Sequence, residues 1–276
     1  MGGLASRGWR GYVCVSRGGA DGQRRRRIGQ ARSGVKPSGT AGPGRKFDSL
    51  TAVARAVVAC GACPRLRAHC EQVAREKKRA FRDHEYWGKP VPGFGDPRAR
   101  LLVVGLAPAA HGGNRTGRMF TGDSSGDWLY GALHRFGFAT QPESIGRSDG
   151  LELHDCFITA AARCAPPGNK PARDELERCR AFLTAELELL DRVEIVVPLG
   201  RIAREGWLRA SGWWERLAPR ERPRFGHGTE TRLPGGPVVL CSYHPSRQNT
   251  QTGKLTRPMW HCVFRRARGL LDAASG

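Results

Sequence analysis

The chain has 276 residues, enough for one sizeable α/β core, and a formal charge of +21 from 46 Lys and Arg against 25 Asp and Glu. So large a positive excess exceeds what solubility needs and points to a polyanionic partner held through phosphate contacts. Nine cysteines, an odd number, argue against a disulfide framework, and no stretch is apolar enough for a secretory signal or a membrane span, so a cytoplasmic protein is expected.

Residues 1–46 carry Arg24-Arg-Arg-Arg27, a net charge of +10 and no sustained hydrophobic period. They read as a disordered basic segment, which fits a nucleic-acid-binding arm, a transit peptide or a start codon assigned too far upstream, followed by one domain over 47–276. Ser49 to Arg82 has a helical pattern interrupted by the turn Cys60-Gly-Ala-Cys63 and Pro64, and Tyr86 to Pro97 is an irregular connection stiffened by three prolines. Leu101-Leu-Val-Val-Gly105 is short, apolar and partly β-branched, as in a strand buried on both faces of a parallel sheet. Six glycines punctuate Gly105 to Gly126, which implies a backbone that approaches a ligand closely or takes positive φ. A helix then runs from about Ser125 to Phe136, with Trp128, Leu129 and Leu133 on its apolar side.

A second strand is predicted over Asp155–Ala160, then a Pro-rich turn over Cys164–Pro171 and an amphipathic helix over Asp174–Leu190. Val193–Leu199 reads as a third strand, 200–210 as a short helix, Val238–Tyr243 as a fourth strand, and Thr256–Leu271 as a last helix rich in arginine. Strands alternating with helices call for a mostly parallel sheet covered on both faces. In such sheets ligands bind beyond the C-terminal ends of the strands, where the loop after Gly105 and the polar run His244-Pro-Ser-Arg-Gln-Asn-Thr250 both begin. Cys60, Cys63, Cys164 and Cys179 together suit a four-thiolate site for iron–sulfur or zinc. Cys156 and Cys241, on predicted buried strands, read as small core residues, and Cys14, Cys70 and Cys262 have no assigned role.

Two motifs carry a family resemblance. Gly105-Leu-Ala-Pro, a His-Gly loop and Arg115-Thr-Gly-Arg-Met-Phe-Thr-Gly-Asp123, with His244-Pro-Ser-Arg-Gln-Asn-Thr250, closely resemble the signatures of the type-5, iron–sulfur branch of the uracil-DNA glycosylase superfamily. The likeness spans roughly residues 48 to 270. It implies an α/β fold with a central four-stranded parallel sheet flanked by helices. It also implies a monofunctional enzyme that hydrolyses the N-glycosidic bond of uracil, and of other deaminated or modified bases, in double-stranded, lesion-containing DNA, with a monomer expected. A 4Fe-4S cluster on Cys60, Cys63, Cys164 and Cys179 follows from the same resemblance. No lysine stands out as a Schiff-base nucleophile for a lyase route.

Carried over by motif, His244 is the donor to the O2 atom of the departing base, and Asp123 positions water or stabilises the cationic sugar. Asp123 can equally be the N-cap of the helix behind it. Better-known branches place a polar or acidic residue where this chain has Leu106-Ala-Pro-Ala109, and that absence keeps open a non-catalytic iron–sulfur DNA-binding or damage-sensing protein. Gly105, Ala107, His111, Asn114, Phe120 and Asn169 are the candidate base-binding residues, Phe120 by stacking, unless it simply fills the core. Arg115, Arg118, Ser246, Arg247, Gln248 and Lys254 are the candidate DNA contacts, against the alternative of ordinary solvated surface groups. A nucleotide-binding α/β protein is disfavoured, because neither phosphate-loop glycine pattern occurs at the first strand.

Overall fold

A computed structural model describes residues 46–275; the segment read as a basic arm lies outside the described residues except for Lys46. Helix α1 (Leu50–Val58) starts at Ser49, whose hydroxyl accepts from the Ala52 N–H, and α2 (Pro64–Glu76) starts at Cys63 with proline in its first turn. The cysteine turn therefore divides what the sequence reads as one interrupted helix. Strands β1 (Phe94–Gly95) and β2 (Leu101–Gly105) follow, then the short α3 (Gly113–Thr116) inside the long loop, α4 (Ser124–Arg135) and β3 (Cys156–Ala160). The remainder is α5 (Arg173–Leu189), β4 (Ile195–Pro198), α6 (Arg201–Ala210), α7 (Trp213–Arg216), β5 (Glu230–Arg232), β6 (Val238–Leu240), α8 (Arg247–Gln251) and α9 (Arg257–Ser275).

The sheet has six strands in the order β1-β3-β2-β4-β6-β5. Its four central strands, β3, β2, β4 and β6, are parallel, as expected, and β1 and β5 add antiparallel edges. The edges escape sequence reading because they are two and three residues long, and Glu230-Thr-Arg232 has no apolar period. Alternation along the central strands feeds two cores. Leu101 and Val103 of β2 pack with Leu129 and Leu133 of α4 and with Trp260 and Phe264 of α9, while Leu102 and Val104 pack with Leu183 of α5 and Trp207 of α6. Each fully buried aliphatic or aromatic side chain here contributes about 1.5–3 kcal/mol relative to exposure, so both sheet faces are needed. Helix α1 packs outside α5 through Val53 and Val57.

Candidate active site

Because the four central strands are parallel, their C-terminal ends share one edge. Gly105 pairs with Ala160, Val104 with Pro198, and Leu199 bridges to Ser242, so the loops after β2, β3, β4 and β6 leave side by side. The first loop is anchored at its start, where the N–H groups of Ala161 and Ala162 donate to the carbonyls of Gly105 and Leu106 at 3.0 and 2.9 Å.

At the far side of that loop Phe120 has φ of +53°, a left-handed conformation that costs a non-glycine residue about 1–3 kcal/mol. The distortion lays the Phe120 ring over Gly105, where a Cβ would approach the ring to 2.9 Å, and brings the ring face to the imidazole of His244 at 5.8 Å with 29° between planes. His244 is partly buried, and burial pulls its imidazole down to about 4, so at neutral pH the ring is neutral and carries one N–H. Its backbone is fixed from several sides. The Asn249 amide donates to the His244 carbonyl at 2.8 Å, and the Ser125 hydroxyl donates to Pro245 O at 3.1 Å. The Tyr243 N–H donates to Nδ1 of His227 at 3.3 Å, which leaves the His227 Nε2–H for Met259 O at 3.1 Å.

Asp123 is the N-cap of α4, and its two oxygens divide the work. Oδ1 accepts from the N–H groups of Ser125 and Gly126 at 2.9 and 3.0 Å. Oδ2 is turned to Gly112, where any Cβ would collide with it, and makes no hydrogen bond among the described residues. Burial raises the Asp123 carboxyl above the usual range, and the two backbone donors only partly offset this. The result is one capped carboxylate with a free, basic oxygen.

The four expected cysteines line one small cavity. Cys60 and Cys63 come from the turn between α1 and α2, Cys164 from the loop after β3, and Cys179 from α5, with Leu66, Pro90, Phe182, Arg67, Arg163 and Arg178 completing the wall. Burial lifts the Cys63 thiol and drives Cys179 to about 12; Cys164 is lifted by the Cys70 thiol that it bonds and by burial. No carboxylate or imidazole lines the cavity, and no three His, Cys, Asp or Glu side chains among the described residues converge on one ion position. Soft sulfur donors spread around a cavity suit a multinuclear group better than a single zinc. A fork from Arg65 to Glu175, at 2.8 and 2.7 Å, ties α2 to α5.

The uracil DNA glycosylase superfamily profile matches residues 92–265. The chain is 51% identical to the type-5 uracil-DNA glycosylase of Thermus thermophilus over 79% of this chain and 97% of that protein. The chain belongs to the uracil-DNA glycosylase superfamily. It is also 51% identical to the type-5 uracil-DNA glycosylase of Mycobacterium tuberculosis, over 76% of this chain and 78% of that protein. For a type-4 uracil-DNA glycosylase of Pyrobaculum aerophilum the identity is 31% over 59% of this chain and 74% of that protein.

Within this superfamily fold the structure separates the candidate residues. Gly105, Ala107, Phe120, Asp123 and His244 belong to the loops at the shared strand edge, and Asn169 stands exposed after β3 with φ of +56°. Arg247, Gln248 and Lys254 are exposed, Ser246 caps α8 through its hydroxyl, and Lys254 lies over the Tyr243 ring. His111 is partly buried and bonds the Tyr86 hydroxyl through Nδ1 at 3.0 Å. Asn114 is fully buried; its amide nitrogen donates to Cys70 O at 3.2 Å, while its amide oxygen has no partner among the described residues. Two expectations need correction. Arg115 is buried and donates to the carbonyls of His111 and Gly122, both at 2.8 Å, while stacking on Phe81. Arg118 is buried and grips both Asp149 oxygens at 2.9 and 2.5 Å. Arg115 and Arg118 therefore brace the loop from within and reach no phosphate. His227 and Gly112 are supports that sequence reading missed, and Ser125, read as a possible helix cap, instead holds Pro245 while Asp123 caps α4. A Gly-rich motif flags Gly112, but nothing local in sequence marks His227.

Proposed function

We propose that this chain is a uracil-DNA glycosylase that hydrolyses the N-glycosidic bond and so initiates base excision repair. The observation that carries the assignment is the neutral His244 imidazole stacked on Phe120, on the same strand edge as a carboxylate with one free oxygen. The target nucleotide is extruded from the duplex and its base lies against Phe120. As the C1′–N1 bond breaks, negative charge grows on the pyrimidine, and the N–H of the neutral His244 ring donates to its O2. Asp123 Oδ2 faces the sugar, where it orients water and takes up the proton released as the water oxygen joins C1′. Ala107 presents no polar group to a base edge, leaving Asn169 to read it. This permissive set extends the range beyond uracil to deaminated bases such as hypoxanthine.

The cysteine cavity suits a 4Fe-4S cluster on Cys60, Cys63, Cys164 and Cys179, which would supply a rigid covalent tie between α1, α2, α5 and the loop that carries Asn169. Arg247, Gln248, Ser246 and Lys254 form the DNA-facing rim of the His244 loop. Duplexes carrying single uracil, hypoxanthine or hydroxymethyluracil lesions, treated with the protein and then with alkali, test the proposal. Strand breaks at uracil are expected. Intact uracil duplexes bound without cleavage would instead identify a damage-binding protein on this scaffold.

A further inference from the structure

The least satisfied polar group near the cysteine cavity is Arg163. Its side chain is 1% exposed, and one terminal nitrogen, Nη2, donates to Glu186 Oε2 at 2.5 Å. The same carboxylate oxygen accepts from the Thr159 hydroxyl of β3 at 2.5 Å, and Glu186 is itself 2% exposed. The other guanidinium nitrogens, Nε and Nη1, are buried and have no partner among the described residues. Arg163 lines the same cavity as the four cysteines. A buried donor left unmet costs about 1–3 kcal/mol, and a guanidinium offers donors in a rigid planar fork. Among the side chains on the cavity wall only the sulfurs can accept from them, because the rest are apolar or are two further guanidinium groups, Arg67 and Arg178.

We propose that Arg163 is the internal counter-ion of the iron–sulfur cluster: Nε and Nη1 donate to its sulfurs while Glu186 holds the guanidinium in place. This rests on the cluster reading above. Four thiolates give such a group a net negative charge, and reduction adds to it. A fixed positive charge and N–H donors to sulfur favour the reduced state, and both are recognised levers on cluster potential. Glu186 keeps the guanidinium from turning away. It also connects the centre to Thr159, one residue before Ala160, which pairs with Gly105 beneath Phe120.

The test uses anaerobically purified full-length protein. Iron, sulfide and zinc content of the parental protein comes first; zinc without iron would overturn the cluster reading itself, before any variant is made. Arg163→Met, Arg163→Lys and the double variant Arg163→Met/Glu186→Gln are then compared by redox titration followed by electron paramagnetic resonance. Arg163→Met is expected to shift the midpoint potential to more negative values and to accelerate iron loss to a chelator. The lysine variant, which keeps the charge and loses the fork, should fall between it and the parent. The double variant removes both buried charges, so its iron-free form should melt where the iron-free parent melts. Faster iron loss from it supports the proposal even if the single methionine variant does not fold. Potentials and iron-loss rates equal to the parent in the lysine and double variants would overturn the role of Arg163 and leave the cluster standing.

Discussion

His244 is neutral because it is buried, and that state has measurable consequences. Its imidazole titrates near 4 in the folded chain and near 6.5 when unfolded, so below pH 6.5 the unfolded chain gains the proton first. Folding stability should therefore decline as pH falls from about 6.5 towards 4, by about 3 kcal/mol for this group. Denaturant unfolding at stepped pH, parent against His244→Ala, isolates that component. The excision rate should show no break near 6.5, whereas a catalytic imidazolium would give one. His244→Ala should raise the single-turnover barrier by about 2.7–4 kcal/mol while lesion binding changes little. At Asp123 the cap and the chemistry use different oxygens. Asp123→Asn should keep α4 capped and lose most activity, and an asparagine variant that excises at the parental rate would leave Asp123 a cap alone. Gly112→Ala makes the complementary test. The new methyl collides with Asp123 Oδ2, comes to 2.8 Å from its Cγ and to 3.2 Å from the Ala109 Cβ, so the carboxylate must shift; excision should fall by about 10²-fold, as for a catalytic group displaced by an ångström, with some loss of stability as the α4 cap is disturbed.

At the scale of elements, the four central strands were legible because each is a short apolar run bounded by turn residues, and their alternation with helices dictated parallel pairing. The four cysteines named from sequence line one cavity, although their spacing said nothing of Arg163 or Glu186. The arginines of the loop were misread for a definable reason. Arg118 in a glycine-rich stretch has the chemistry of a phosphate binder, and its partner Asp149 lies 31 residues away, across a fold the local pattern does not contain. Burial acts to raise Asp149, but the Arg118 fork and the N–H groups of Leu151, Ile145 and Gly146 outweigh it and hold the carboxyl well below its usual range. Removing Arg118 leaves that charge without its partner. Arg118→Ala should cost about 3–5 kcal/mol of stability in chemical denaturation. Arg247→Ala should leave stability unchanged and lower the salt slope of DNA binding by about one unit. A reversal of these two outcomes would return Arg118 to the DNA interface.

Across the whole molecule, +10 of the charge lies in residues 1–46 and +11 remains on residues 47–276. Deleting the first 46 residues should preserve excision while weakening non-specific DNA affinity and its salt dependence, measured by titration at two ionic strengths. Loss of excision from a folded truncation would move the domain boundary upstream. The edges of the sheet carry a separate consequence. β1 and β5 are two and three residues long, and β5 presents Glu230 and Arg232. An incoming strand would find too short a ladder to template its own pairing, and charged side chains on β5. Among the described residues the sheet ends at six strands. Copies of the chain brought close together would find little at these edges on which to build a shared sheet.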